Sequence, residues 1–104
     1  MDAVYAAAQA EQGQTTFQTY CTACHNAQEF RGPAFQQHWS GRTVGDLYHF
    51  VSTMMPLDAP ASLEDQQYAG IVAFFLRQNG YPDGPTELPA SREALDQIDF
   101  VPVP

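Results

Sequence analysis

Residues 20–30 read YCTACHNAQEF, and within them lie both cysteines of the 104-residue chain, Cys21 and Cys24, with His25 directly after the second. Three chemistries use such a pair: a redox dithiol, half of a zinc site, or covalent attachment of haem. A thioredoxin-like dithiol opens a helix that follows a strand, whereas this motif follows a helical pattern. Zinc needs four ligands, and only His25, His38, His49 and distant carboxylates are on offer, with no second CxxC. Haem attachment uses all three residues together. Thiols at i and i+3 on a helical turn reach the two vinyl groups of one haem, and the imidazole one step on points at the iron. The motif therefore reads as a single covalent haem c site, with Cys21 and Cys24 as thioether anchors and His25 as an iron ligand.

The flanking sequence is punctuated for helices. Ala6, Ala10, Gly13, Phe17, Tyr20 and Cys24 recur at spacings of three and four, which predicts a helix from about residue 3 into the cysteine motif. Glycine at 13 costs roughly 1 kcal/mol inside a helix, a cost that a close approach by a second helix would offset. Thr43 with Asp46 three residues on fits a capping box. Leu47, Phe50, Val51 and Met54 follow on one face, and Pro56 stops the run. A third start falls at Ser62 with Asp65, followed by Tyr68, Ile71, Val72, Phe75 and Leu76, and Asn79-Gly80 supplies a left-handed end. No stretch alternates like a strand. The expected class is all-α, three main helices plus loops around one haem, in a single domain over residues 1–104.

Residues 26–42, with Gly32-Pro33 and Trp39, read as a loop, as do residues 56–61. The Pro-rich tail from 81 to 104 is expected to pack on the surface, apart from a short helix near Ser91–Ile98 with Leu95 and Ile98 facing inward.

A methionine as second iron ligand makes an electron carrier of fairly high potential, whereas an open site makes a catalyst or gas binder. Met55 is the favoured ligand, because it falls off the apolar face and precedes Pro56. Met54 continues that face and reads better as core filler, although it and a histidine stay open as ligands. Trp39 can cover haem while its indole N–H donates to a propionate, or it can be an ordinary core tryptophan. Arg42 can pair with a propionate or simply be solvated. Pro33 counts because a carbonyl in the Gly32-Pro33 turn is well placed to accept from the second ring nitrogen of His25. His49 shares a face with Asp46 and Thr53 and reads as a surface residue. His38, beside Trp39, can reach a propionate or be merely exposed.

Twelve acidic residues face four basic ones, and the formal net charge is −8. Such a surface repels nucleic-acid phosphates and anionic lipid, and it suits a redox partner with a basic docking face. No apolar run approaches the ~20 residues of a membrane span. MDAVYAAAQAEQG lacks the pattern of an export signal, so a signal or a preceding domain is expected to be missing from this chain.

Gly13 and Phe17 on a first helix, then CxxCH, Gly-Pro, Met-Pro and a closing aromatic-rich helix follow one another in the order of the class I c-type cytochromes, which the chain resembles along nearly its whole length. The resemblance implies that Gly13 and Phe17 pack near Phe74. Residues 41–88, GRTVGDLYHFVSTMMPLDAPASLEDQQYAGIVAFFLRQNGYPDGPTEL, are similar to the cytochrome domains found beside, or fused to, pyrroloquinoline-quinone-dependent dehydrogenases. The Met-Pro, Pro-Ala-Ser-Leu and Asn-Gly-Tyr-Pro segments carry that likeness. It implies a periplasmic one-electron shuttle from a dehydrogenase to a downstream acceptor, not itself an enzyme. The alternative of a different class is a five-coordinate haem acting as peroxidase or gas sensor.

Overall fold

The computed structural model describes residues 4–21, 27–55, 59 and 61–101. Among these described residues five α-helices follow in order: α1 (Ala7–Tyr20), α2 (Pro33–Trp39), α3 (Val44–Met54), α4 (Asp65–Gln78) and α5 (Arg92–Leu95), with a 3-10 turn at Ala27–Phe30 before α2. Among the described residues the only β pairing is two isolated bridges, Ala6 with Gly84 and Thr43 with Asp99. The all-α class expected from the periodicity is the one observed.

The frame is a crossing of α1 on α4, and two glycines set its closeness. A Cβ on Gly13 would lie 1.7 Å from the carbonyl oxygen of Gly70. With both side chains absent, the helices meet backbone to backbone, which offsets the propensity cost of each glycine. One turn along, Phe17 lies 5.5 Å from Phe74 and 5.8 Å from Phe75, ring centre to ring centre. Gly13 and Phe17 therefore meet α4 beside Phe74, as the resemblance implied.

The helix ends follow the punctuation with two exceptions. The Thr43 hydroxyl accepts from the Asp46 N–H at 3.0 Å, and the Asp46 carboxylate accepts from the Thr43 N–H at 3.0 Å, completing the box. At the end of α4, Tyr81 N–H donates to Leu76 and Gly80 N–H to Arg77, with Gly80 at φ +88, a glycine-closed Schellman end. Ser62, however, does not start α4. Glu64 is the cap, its N–H donating to the Gln67 side chain. The Gln67 N–H donates in turn to the Glu64 carbonyl at 2.9 Å, so the two residues close the helix start between them. The first helix also starts late, because Ala6 is occupied in its bridge with Gly84.

A further departure is α2, which replaces part of the expected loop. Gly32 holds φ +90, a turn closed to residues with a Cβ, and Pro33 sits at the first helical turn, where its missing N–H costs nothing. Phe35 and Trp39, one turn apart, are both buried. A proline read as loop chemistry is thus a helix start.

The tail also departs from expectation. Tyr81, Leu88 and Phe100 are buried rather than lying on the surface. Gln9 explains how a polar, Pro-rich segment is held there. Its amide nitrogen donates to the Leu88 carbonyl at 2.8 Å and its oxygen accepts from the Leu88 N–H at 2.7 Å, so a buried amide satisfies a buried backbone. The Tyr5 hydroxyl donates to the Tyr81 carbonyl at 2.6 Å. α5 forms where the short helix was expected, capped by Ser91, with Leu95 buried and Ile98 half-buried.

Candidate haem-binding cleft

Cys21 follows the last residue of α1, with its N–H on the Phe17 carbonyl at 2.8 Å. Its half-buried side chain packs against the core, and that burial pushes the thiol pKa up. Cys24 and His25 lie outside the described residues, as does Pro56. What can be traced is the ground on which their segment ends.

That ground is built around Asn79. Its amide nitrogen donates to the carbonyls of Phe30 (2.8 Å) and Phe75 (2.7 Å), and its oxygen accepts from the Gly32 N–H at 2.9 Å. One side chain at the end of α4 therefore pins both sides of the Phe30–Gly32 turn. Phe30 lies flat on Phe75, with centroids 4.6 Å apart and planes 11° apart, and the same turn delivers Pro33. The Gly32 carbonyl accepts the first bond of α2 from Gln36 N–H at 3.1 Å and keeps a second lone pair.

Between this turn, α2 and α3 opens a cleft of about 320 Å³ whose wall is Phe30, Phe35, Trp39, Leu47, Phe50, Val51 and Phe75, with Glu29 and His38 at its edge. A second hollow shares Trp39 and Phe50 with it and continues past Arg42, His49 and Met54. The two form one trough along α2 and α3. Two of its large apolar side chains are left uncovered: Phe50 is 41 % exposed and Met54 49 % exposed. Adjacent large apolar groups in this state mark a surface that takes a partner. A flat, largely apolar macrocycle is a fitting one.

The predicted site residues fall unevenly on this trough. Trp39 is buried at its floor, and the Arg42 guanidinium stands 5.6 Å over the indole ring. His38 lies edge-on to Trp39 with centroids 5.0 Å apart and is exposed, as is His49. Met54, expected as core filler, instead points out of the core and lines the trough with Trp39 and Arg42. The face of α3 is split: Leu47 and Val51 go inward, while Phe50 and Met54 are left outside. Met55 leaves the helix in extended geometry (φ −123, ψ 148), is half-buried, and is absent from both stretches of the trough. Its carbonyl accepts from the buried Tyr68 hydroxyl at 2.7 Å.

The roles of Asn79 and Tyr68 were not visible in sequence. Asn79-Gly80 reads as helix-end chemistry, and nothing local shows that the same amide reaches a turn 47 residues away. Among the described residues no group of three or more His, Cys, Asp or Glu could hold a metal ion, so none competes with haem as the metal site.

An all-helical frame, a CxxCH sequence directly after its first helix and an apolar trough lined by Phe30, Trp39 and Phe50 together define a c-type cytochrome domain. Residues 8–75 match the family model described as cytochrome C oxidase, cbb3-type, subunit III, and the chain belongs to that family. It is a haem electron-transfer module carrying covalently bound haem c, with redox proteins as its partners. No curated protein and no solved structure matches the chain. No helix is long and apolar enough to cross a membrane among the described residues.

Proposed function

We propose that this chain is a periplasmic one-electron shuttle that takes electrons from a dehydrogenase, of the quinoprotein class, and hands them to a downstream acceptor. The observation that supports the electron-transfer role is the apolar trough between the Phe30 turn, α2 and α3, with Trp39 at its floor and Phe50 uncovered. Bound haem supplies a reversible one-electron couple there. The chain's own residues hold it: Cys21 and Cys24 as thioether anchors, His25 as one iron ligand, and Arg42 beside Trp39 as partner for a propionate. A carbonyl of the Gly32-Pro33 turn is the acceptor for the second nitrogen of His25. The quinoprotein link rests on the likeness of residues 41–88, and a dehydrogenase fused to this chain is part of the same reading.

Met55 is the proposed distal ligand, on its position before Pro56 and its exit from the helix. A specific observation favours Met54 as the second reading, since Met54 lines the same trough as Trp39 and Arg42. Paired substitutions test the choice. Met55→Ala is expected to abolish the long-wavelength methionine–iron band of the oxidised protein and to lower the potential strongly, with Met54→Ala leaving both in place. The reverse pattern assigns Met54. Carbon monoxide tests the role itself: ready binding by the reduced wild-type protein would show an open sixth position and turn the reading to a peroxidase or gas sensor.

A further inference from the structure

Asn79 and Gly80 end α4, and each is held there for its own reason. Gly80 is at φ +88, where a residue with a Cβ is strained, and its N–H donates to the Arg77 carbonyl at 3.0 Å. Asn79 is buried, and every hydrogen-bonding position of its side-chain amide is taken. The nitrogen donates to the Phe30 and Phe75 carbonyls, at 2.8 and 2.7 Å. The oxygen accepts from the Gly32 N–H at 2.9 Å and from the Gln36 side chain at 3.4 Å. The fold thus places an asparagine directly before a glycine. That pair is chemically exposed to loss of ammonia, because no Cβ shields the glycine nitrogen from the neighbouring side-chain amide.

We infer that Asn79-Gly80 is a latent deamidation site, which the Phe30–Gly32 turn keeps unreactive in the folded protein. In the reaction the Gly80 backbone nitrogen attacks the side-chain carbonyl carbon of Asn79. A carbon–nitrogen bond forms, the bond to the amide nitrogen breaks, and ammonia leaves with the proton of the Gly80 N–H. Water then opens the cyclic imide at one of its two carbonyls and leaves aspartate or isoaspartate at 79. No oxidant or reductant enters. In the fold both reacting groups are committed, the amide to the turn and the glycine N–H to Arg77, so attack has to wait until the end of α4 opens. The change is one-way. A carboxylate has no N–H for the Phe30 and Phe75 carbonyls, and its charge faces their oxygens at a buried position. Isoaspartate also lengthens the main chain by a carbon where Gly80 and Tyr81 close the helix. A chain that stays open there is altered for good, whereas a closed one is spared.

The test incubates the holoprotein at mildly alkaline pH, folded in buffer or unfolded in guanidinium chloride. Peptide mass spectrometry follows the amide-to-acid exchange at 79 and, in the same samples, at Asn26, the other asparagine of the chain, which precedes Ala27. Unfolded protein is expected to convert Asn79 at least about tenfold faster than folded protein, the equivalent of ~1.4 kcal/mol of opening, and faster than Asn26. Two variants then separate the turn from stability in general. Phe30→Leu removes the ring stacked on Phe75 and is expected to speed conversion at 79 severalfold in the folded protein. Val44→Ala truncates a buried side chain at the start of α3 and is expected to leave that rate unchanged. Equal rates at 79 in folded and unfolded wild type, or equal acceleration by the two variants, would overturn the inference.

Discussion

Gly13 and Gly70 face each other backbone to backbone across the α1–α4 crossing, but the two positions are not equivalent. A methyl on Gly13 would drive into the Gly70 carbonyl at 1.7 Å, whereas one on Gly70 would meet Gly13 Cα at 3.3 Å. Gly13→Ala is therefore expected to destabilise by about 2–3 kcal/mol despite its better helix propensity. For Gly70→Ala, the mild crowding and the propensity gain of about 1 kcal/mol nearly cancel. Denaturant unfolding of the two holoproteins checks the asymmetry, and equal losses would contradict it.

Asn79 is a second point of unequal consequence. Its side chain is buried and holds the Phe30 and Phe75 carbonyls together with the Gly32 N–H. Asn79→Ala takes the acceptor from the Gly32 N–H and one donor from each carbonyl, with Gln78 still reaching Phe30 and the backbone N–H of residue 79 still reaching Phe75, which predicts a loss of about 1–3 kcal/mol. Because the same turn leads into Pro33, the loss should be accompanied by a change in the haem absorption spectrum. A destabilised protein with an unaltered spectrum would separate the turn from the haem environment.

Acid weakens the start of α3. The backbone N–H of Thr43 holds the Asp46 carboxyl below its usual pKa, helped by the Thr43 hydroxyl and by Arg92 and Arg42 nearby. A depressed carboxylate pKa contributes stability that is present above the unfolded value near 3.9 and is lost as pH falls through the folded value. Asp46→Ala should cost about 1 kcal/mol at neutral pH. The gap to wild type should narrow steadily below about pH 4. A gap that stayed constant down to pH 2 would remove the charge from the explanation.

With a net charge of −8 on the polypeptide, encounter with a cationic redox protein should be fast at low salt. Its second-order electron-transfer rate is expected to fall as salt shortens the Debye length from ~30 Å at 0.01 M to ~8 Å at 0.15 M. The rate with an anionic protein of similar potential should rise over the same range. The opposite trends would show that docking is governed by a local patch and not by net charge.

How much of this was legible beforehand divides by range. The Thr43–Asp46 box, the Asn79-Gly80 ending and the tight crossing at Gly13 are written in residues a few positions apart or in a residue type with one use. Capping by Glu64 in place of Ser62 was hidden because several residues in that stretch have cap-competent side chains. α2 was hidden because Gly-Pro serves a turn and a helix start alike, and only the burial of Phe35 and Trp39 decides between them. The inward tail depends on Gln9 meeting Leu88, 79 residues away, and no local pattern carries that. The periodicity of α3 placed Phe50 and Met54 on the core face, yet the wall they join was built to be covered by something other than protein.

The clasp between Gln9 and Leu88 and that between Tyr5 and Tyr81 also set an order of events. Both join segments more than seventy residues apart, and contacts of such separation form late. The tail is therefore expected to dock last, and because Tyr5 and Gln9 stand at the start of α1 while Cys21 follows its end, that docking closes the end of the helix opposite the cysteine.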